Sequence, residues 1–158
     1  GGKTFRLAQH GHTVTSVDRD PRRLSRMAEN LERLNLSIEM VEHDWMSGSA
    51  TTLGAFDAVL VDAPCTALGT VRRHPEIIWR RRPGDVAAMS VLQRSVLRSA
   101  ATHVKDQGLL LYAVCSTEPE EGINVAESLE GWKVKDHWDS VPPRGDEDAF
   151  QAFLLHRA

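Results

Sequence analysis

A mostly parallel α/β sheet with helices on both faces is the fold this sequence predicts. Three observations point there. Strand-like and helix-like blocks alternate along the chain. The strand-like blocks are apolar runs, as strands covered on both faces must be. Several of them also end in an acid or in Cys115-Ser116, which makes one edge of the sheet polar. In parallel sheets that edge is where ligands bind.

Each element has its own signal. Residues 12–18 read as a strand ending in Asp18. Asp20 suits a helix cap and Pro21 the first helical turn. Leu24, Met27, Leu31 and Leu34 then recur at helical spacing. Residues 37–44 alternate and end in Asp44, and residues 56–62 form a buried-strand run closing on Asp62. A loop rich in Pro, Gly and Arg follows. Val86, Met89, Leu92, Val96, Leu97, Ala100 and Val104 mark a long helix. Gly108 precedes an apolar strand that runs into Cys115 and Ser116. Thr117 and Glu120 read as a capping box, with Pro119 early in the next helix and Leu129 near its end. Strands over residues 132–138 and 149–156 complete the chain.

Composition bounds the function. A chain of 158 residues, 41% hydrophobic and 26% charged, is one domain with room for a core. No apolar run approaches the length of a membrane span, and the first residues lack the apolar segment of a signal peptide. Nineteen Lys and Arg against 22 Asp and Glu give a net charge of -3, so any surface for nucleic acid must be local. Two cysteines exclude a disulfide-rich scaffold and a four-cysteine zinc site, and they point to a reducing, cytoplasmic setting. Seven histidines without ligand spacing offer no metal site.

Gly1, Gly2, Lys3 and Thr4 admit two functional readings. They match the tail of a phosphate loop, with Asp62 closing a metal-binding strand, as in a nucleotide hydrolase. They equally match a glycine turn that lets a cofactor approach a helix N-terminus. Asp18 favours the second, because an acid ending the next strand suits ribose hydroxyls and a phosphate loop has no need of it. Asp44 ends the following strand and marks an adenine pocket or a turn. Lys3 is a partner for Asp62 or for a donor carboxylate, or a solvated lysine.

The most specific run is Asp62-Ala63-Pro64-Cys65-Thr66-Ala67-Leu68-Gly69-Thr70-Val71-Arg72-Arg73-His74-Pro75. The second is Cys115-Ser116-Thr117-Glu118-Pro119-Glu120-Glu121. Together they resemble the RNA cytosine-5 methyltransferases of the Nop/Sun family, in particular the Sun (Fmu) branch that acts on small-subunit ribosomal RNA. Val114 stands where that family has Thr, and Thr66 where it has Ser. The resemblance covers nearly the whole chain. It implies a Rossmann-like methyltransferase catalytic domain over residues 1–158, with S-adenosylmethionine as methyl donor. It also implies a domain partial at its N-terminus, whose usual first strand lies upstream of Gly1. Gly1, Gly2, Lys3, Asp18, Asp44 and Asp62 would then hold the donor.

The chemistry explains the residue types. Carbon 5 of cytosine becomes nucleophilic only after a thiolate adds to carbon 6. The resemblance makes Cys115 that thiol, Asp62 the group at ring nitrogen 3, and Cys65 the residue that assists release of the adduct. Free cysteine is also a common core residue, and that is the bland alternative for both thiols. Five arginines crowd residues 72–82, and Arg72, Arg73 and His74 are candidates for RNA contact. Trp79 is expected either to stack on a base or to sit in the core, and Arg80, Arg81 and Arg82 either to meet RNA or to form a solvated face. A catalytically silent RNA-binding module of the same fold is the remaining alternative.

Overall fold

A computed structural model describes residues 1–140 and 147–158. The chain divides into two compact units, residues 1–47 and residues 48–158.

The first unit begins with helix α1 (Gly2–Gln9), followed by strand β1 (Thr15–Asp18), helix α2 (Pro21–Arg33) and strand β2 (Glu39–Glu42). A single 3-10 turn, Trp45–Ser47, ends it. β1 and β2 pair in parallel, with Thr15 opposite Glu39 and Asp18 opposite Glu42. α2 starts as its sequence predicts. The Asp20 side chain accepts the Arg22 N–H at 2.9 Å and Pro21 opens the helix. An aspartate in that place satisfies an amide that the helix itself leaves unpaired. Both strands are shorter than expected. The His12 N–H still bonds to Leu7 O at 3.3 Å, so the chain leaves α1 late and extends only where β2 faces it.

The second unit holds β3 (Phe56–Asp62), α3 (Glu76–Arg80), α4 (Asp85–Ala101), β4 (Val104–Val114), α5 (Ile123–Ala126), β5 (Trp132–Asp139) and β6 (Gln151–Arg157). The strand order is β3-β4-β6-β5. β3 and β4 are parallel, and β6 runs antiparallel to both of its neighbours. Three of the four strands thus share one direction. Leu110, Val114 and Leu155 are fully buried, and Tyr112, Phe153, Leu97 and Val125 complete the centre of the core. Burying each large side chain contributes about 1.5–3 kcal/mol.

Three sequence expectations need correction here. Val104 is not the end of the long helix. α4 closes at Ala101, and Val104 opens β4 opposite Phe56. Gly108 lies inside β4 rather than before it. The pairing steps from Phe56–Val104 to Ala58–Leu109, and the surplus residues bulge. A Cβ at Gly108 would stand 2.7 Å from Val104 Cγ1 and 2.9 Å from Asp57 O, so glycine is required there by close approach. The Thr117–Glu120 capping box does not form. Thr117 Oγ1 donates to Glu118 Oε1 at 3.0 Å, and the helix that follows shrinks to Ile123–Ala126. The segment before it turns back on itself instead, with the Glu121 and Gly122 N–H groups both bonded to Glu118 O at 3.1 Å. The short helix α3 falls where only a loop was expected.

Candidate active site

β3 and β4 are adjacent and parallel, so their C-terminal ends lie at one edge of the sheet. Asp62 is the last residue of β3 and is exposed. The Ala63 N–H donates to Ala113 O at 2.9 Å and extends the ladder by one residue. Pro64 has no N–H to continue it. Cys65 follows in the departing loop, and Cys115 follows the end of β4. Both thiols are half-buried, and their sulfurs are 3.3 Å apart.

Two glycine-level contacts close the loop against β4. The Gly69 N–H donates to Cys115 O at 3.1 Å, and Gly69 O accepts from the Ala149 N–H at 2.8 Å. A Cβ on Gly69 would lie 2.2 Å from Ala149 O and 3.0 Å from Cys115 O. No larger residue fits between those carbonyls. Ala67, with φ 61, supplies the left-handed turn that brings the chain back.

A buried carboxylate lies behind the thiols. Glu121 is fully buried and accepts the Thr66 N–H at 2.8 Å, the Ser116 hydroxyl at 2.6 Å and the Gln93 amide at 3.0 Å. The Thr66 hydroxyl bonds to it as well. Gln93 also donates to Pro64 O at 2.9 Å, and Arg81 Nε to Thr66 O at 2.7 Å. The sequence reading assigned no role to Glu121 or Gln93. One signal existed for Gln93: it interrupts the apolar stripe of α4 between Met89 and Val96. Glu121 had its place at the end of the second motif, six residues after Cys115, with no role attached to it.

The hydrogen bond with Cys115, followed by burial, pushes the Cys65 thiol far above the usual thiol range. The two sulfurs are within reach of a shared proton. The Arg73 guanidinium is held more firmly charged, first by its bond to Asp148 and in smaller part by Cys115. A cation whose field reaches a sulfur favours the thiolate form.

The basic run is only partly turned to solvent. Arg73 Nε donates to Asp148 at 2.6 Å, and a second nitrogen of the same guanidinium pairs with that carboxylate. Arg72 stands 3.7 Å from Asp148. His74 Nδ1 is 3.3 Å from Glu76 Oε1. Trp79, on α3, is 88% exposed, so the core alternative for it is excluded. Asp148 is a site-edge residue that the sequence reading missed, because it lies 75 positions from Arg73.

In the first unit, Asp18 is the last residue of β1, whereas Asp44 does not end its strand as expected but lies two residues beyond β2. Asp18 accepts the Asp20 N–H at 2.9 Å and faces Arg23 at 3.7 Å. Asp44 accepts the Met46 N–H at 3.0 Å and faces Arg19 at 3.9 Å. Gly1, Gly2 and Lys3 form the start of α1. A Cβ on Gly2 would meet no atom within 4 Å, so packing does not call for a glycine there. Lys3, for which Asp62 was one of the alternative partners, lies in the first unit and Asp62 in the second. Among the described residues, no group of three or more His, Cys, Asp or Glu could hold a metal ion, and no helix is long and apolar enough to cross a membrane.

Known proteins resemble this chain in sequence and in fold. The ribosomal RNA small subunit methyltransferase B of Erwinia tasmaniensis is 43% identical over 124 residues, which cover 77% of this chain and 29% of that protein. Its Vibrio cholerae counterpart is 40% identical over 129 residues, with the same coverage of both. The chain thus spans about 29% of the length of these relatives. Among solved structures, PH0851 matches with a TM-score of 0.90 and 29% identity, over 99% of this chain and 40% of that one. NSun6 from Pyrococcus horikoshii, solved with SFG, matches with a TM-score of 0.88 and 25% identity, over 99% of this chain and 45% of that one. The family described as 16S rRNA methyltransferase RsmB/F matches residues 1–147. On this evidence the chain belongs to the RsmB/F family of 16S rRNA methyltransferases.

Proposed function

We propose that this chain is the catalytic part of an enzyme that methylates carbon 5 of a cytosine in small-subunit ribosomal RNA. The observation that carries this reading is the pair of thiols 3.3 Å apart, beside the ends of two adjacent parallel strands. S-adenosylmethionine, when bound, supplies an electrophilic methyl group. Asp18 and Asp44 fit it. Each carboxylate spends one oxygen on a backbone N–H and keeps the other in a loose ion pair, a donor-accepting arrangement suited to ribose hydroxyls and an adenine amine. The open space around Gly2 suits close approach of a ligand to the backbone at Gly1, Gly2 and Lys3. Asp62 would contribute from the end of β3. The family assignment favours this reading of the opening glycines over a phosphate loop.

In the reaction, the Cys115 thiolate forms a bond to carbon 6 of the cytosine, and Asp62 would be the group at ring nitrogen 3, where charge develops. Carbon 5 then carries the electron pair that takes the methyl group. Loss of the carbon 5 proton to a base restores the ring double bond as the carbon–sulfur bond breaks. Cys65, beside Cys115 and with its thiol pushed up by that contact and by burial, would protonate the departing sulfur. Arg72, Arg73 and His74 would meet the RNA backbone at the mouth of the site, and the exposed Trp79 would stack on a neighbouring base. The experiment is adduct trapping with the full-length protein. Cys115→Ala is expected to abolish methyl transfer and the covalent RNA adduct, while Cys65→Ala accumulates the adduct. Reversed phenotypes would exchange the two roles, and a methylating Cys115→Ala protein would refute the mechanism.

A further inference from the structure

Glu121 does more than fill a buried position. Its side chain is fully buried, yet it is a carboxylate, which is costly to bury unless every lone pair is used. Here both oxygens are used twice. Oε1 accepts from Thr66 N–H at 2.8 Å and from Gln93 Nε2 at 3.0 Å. Oε2 accepts from the Ser116 hydroxyl at 2.6 Å and from the Thr66 hydroxyl. A carboxylate is the side chain that can accept from four donors at once, whereas an amide offers an acceptor and two donors.

The identity of those donors is the telling point. Thr66 follows Cys65 and Ser116 follows Cys115, so one carboxylate is bound to the neighbour of each thiol. Gln93 ties the same oxygen to Pro64 O, on the other side of Cys65. Glu121 is itself fastened to the sheet, because Tyr112 in β4 donates its hydroxyl to Glu121 O at 2.6 Å. The Cys65 loop, the Cys115 loop, α4 and β4 therefore all converge on this residue.

We propose that Glu121 is a positioning residue that sets the separation of the Cys65 and Cys115 thiols by holding the residue after each. This rests on the reading of the two thiols as a working pair, and it assigns Glu121 no contact with RNA or donor.

The test is Glu121→Gln in the full-length protein. It keeps the shape but turns an N–H2 towards two hydroxyls that now donate. The first readout needs no RNA. Diamide closes adjacent thiols, taking up both thiol hydrogens as a hydrazine while the sulfur–sulfur bond forms. Closure of Cys65–Cys115 is expected to slow by about tenfold or more, since misplacement by an ångström costs up to about a hundredfold. In methyl transfer, kcat is expected to fall while KM for RNA and donor stays constant. Thr66→Val should reproduce part of both losses, and Thr66→Ser should restore them. This second pair keeps the proposal testable if Glu121→Gln does not fold. Unchanged diamide closure with unchanged kcat in Glu121→Gln, or in Thr66→Val where that variant stands in, overturns the proposal. A wild-type protein that forms no RNA adduct overturns the proposed function instead, and leaves the positioning role to be judged on thiol closure alone.

Discussion

Residues 1–47 and residues 48–158 are held together in different ways. Among the described residues, Leu31 is the one apolar side chain buried in the first unit. The second unit buries Leu97, Leu110, Tyr112, Val114, Phe153 and Leu155 around a four-stranded sheet, with Glu121, Gln93, Thr66 and Ser116 buried beside them. The first unit takes its form from local signals: the Asp20 cap, Pro21, and turns at Gly11 and Asn35 with positive φ. The second takes its form from partners far apart in sequence, such as Thr66 with Glu121 and Arg73 with Asp148. Its two thiols therefore sit on a densely bonded frame. The acids of the first unit stand on a lighter frame.

The largest effect expected of this contrast is on stability. Leu155→Ala, in the middle of β6, should cost about 2–5 kcal/mol, because the surrounding core cannot collapse onto the lost volume. Chemical denaturation measures it, and a loss under about 1 kcal/mol would mean that the core repacks freely. Asp18→Ala should leave stability nearly intact and weaken donor binding. Losing a charge-assisted hydrogen bond costs roughly 1.5–3 kcal/mol, about ten- to a hundredfold in affinity. Calorimetry with S-adenosylmethionine decides this, and unchanged affinity removes Asp18 from the site.

A smaller effect concerns the basic run. Replacing both Arg72 and Arg73 by Ala should lower the slope of RNA affinity against salt by about 1.4, if each meets one phosphate of single-stranded RNA. Donor affinity should not change. A wild-type salt slope would mean that Asp148 alone accounts for these arginines. The smallest effect is that of Asp20→Ala, about 1 kcal/mol from the lost cap on α2. Thermal unfolding followed by circular dichroism reads it. A loss as large as that of Leu155→Ala would erase the distinction between the two units.

The elements most legible in the sequence were those with local causes. Asp20-Pro21 marks the start of α2, and residues 56–62 mark β3 to the residue. Val104 and Gly108 misled because hydrophobic spacing continues from α4 into β4, and what separates them is a pairing with Phe56 and Ala58. Thr117 and Glu120 have the spacing of a capping box, but the neighbouring carboxylate of Glu121 is drawn inward by four donors, and the segment turns instead of starting a helix.

The sequence by itself determined the α/β class and placed Asp62 and Cys115 at strand ends, because hydrophobic spacing and residue type are local properties, while the roles of Cys65, Cys115 and Asp62 came from the resemblance of their two runs to a known family. Tertiary structure decided that the two sulfurs meet at 3.3 Å, that contact and burial push the Cys65 thiol up, that Asp148 holds Arg73, and that Glu121 joins the two cysteine loops. Each of those facts joins residues far apart in the chain or depends on burial. Only the packed core of residues 48–158 brings such groups within hydrogen-bonding distance, and only there does desolvation make their pairing decisive.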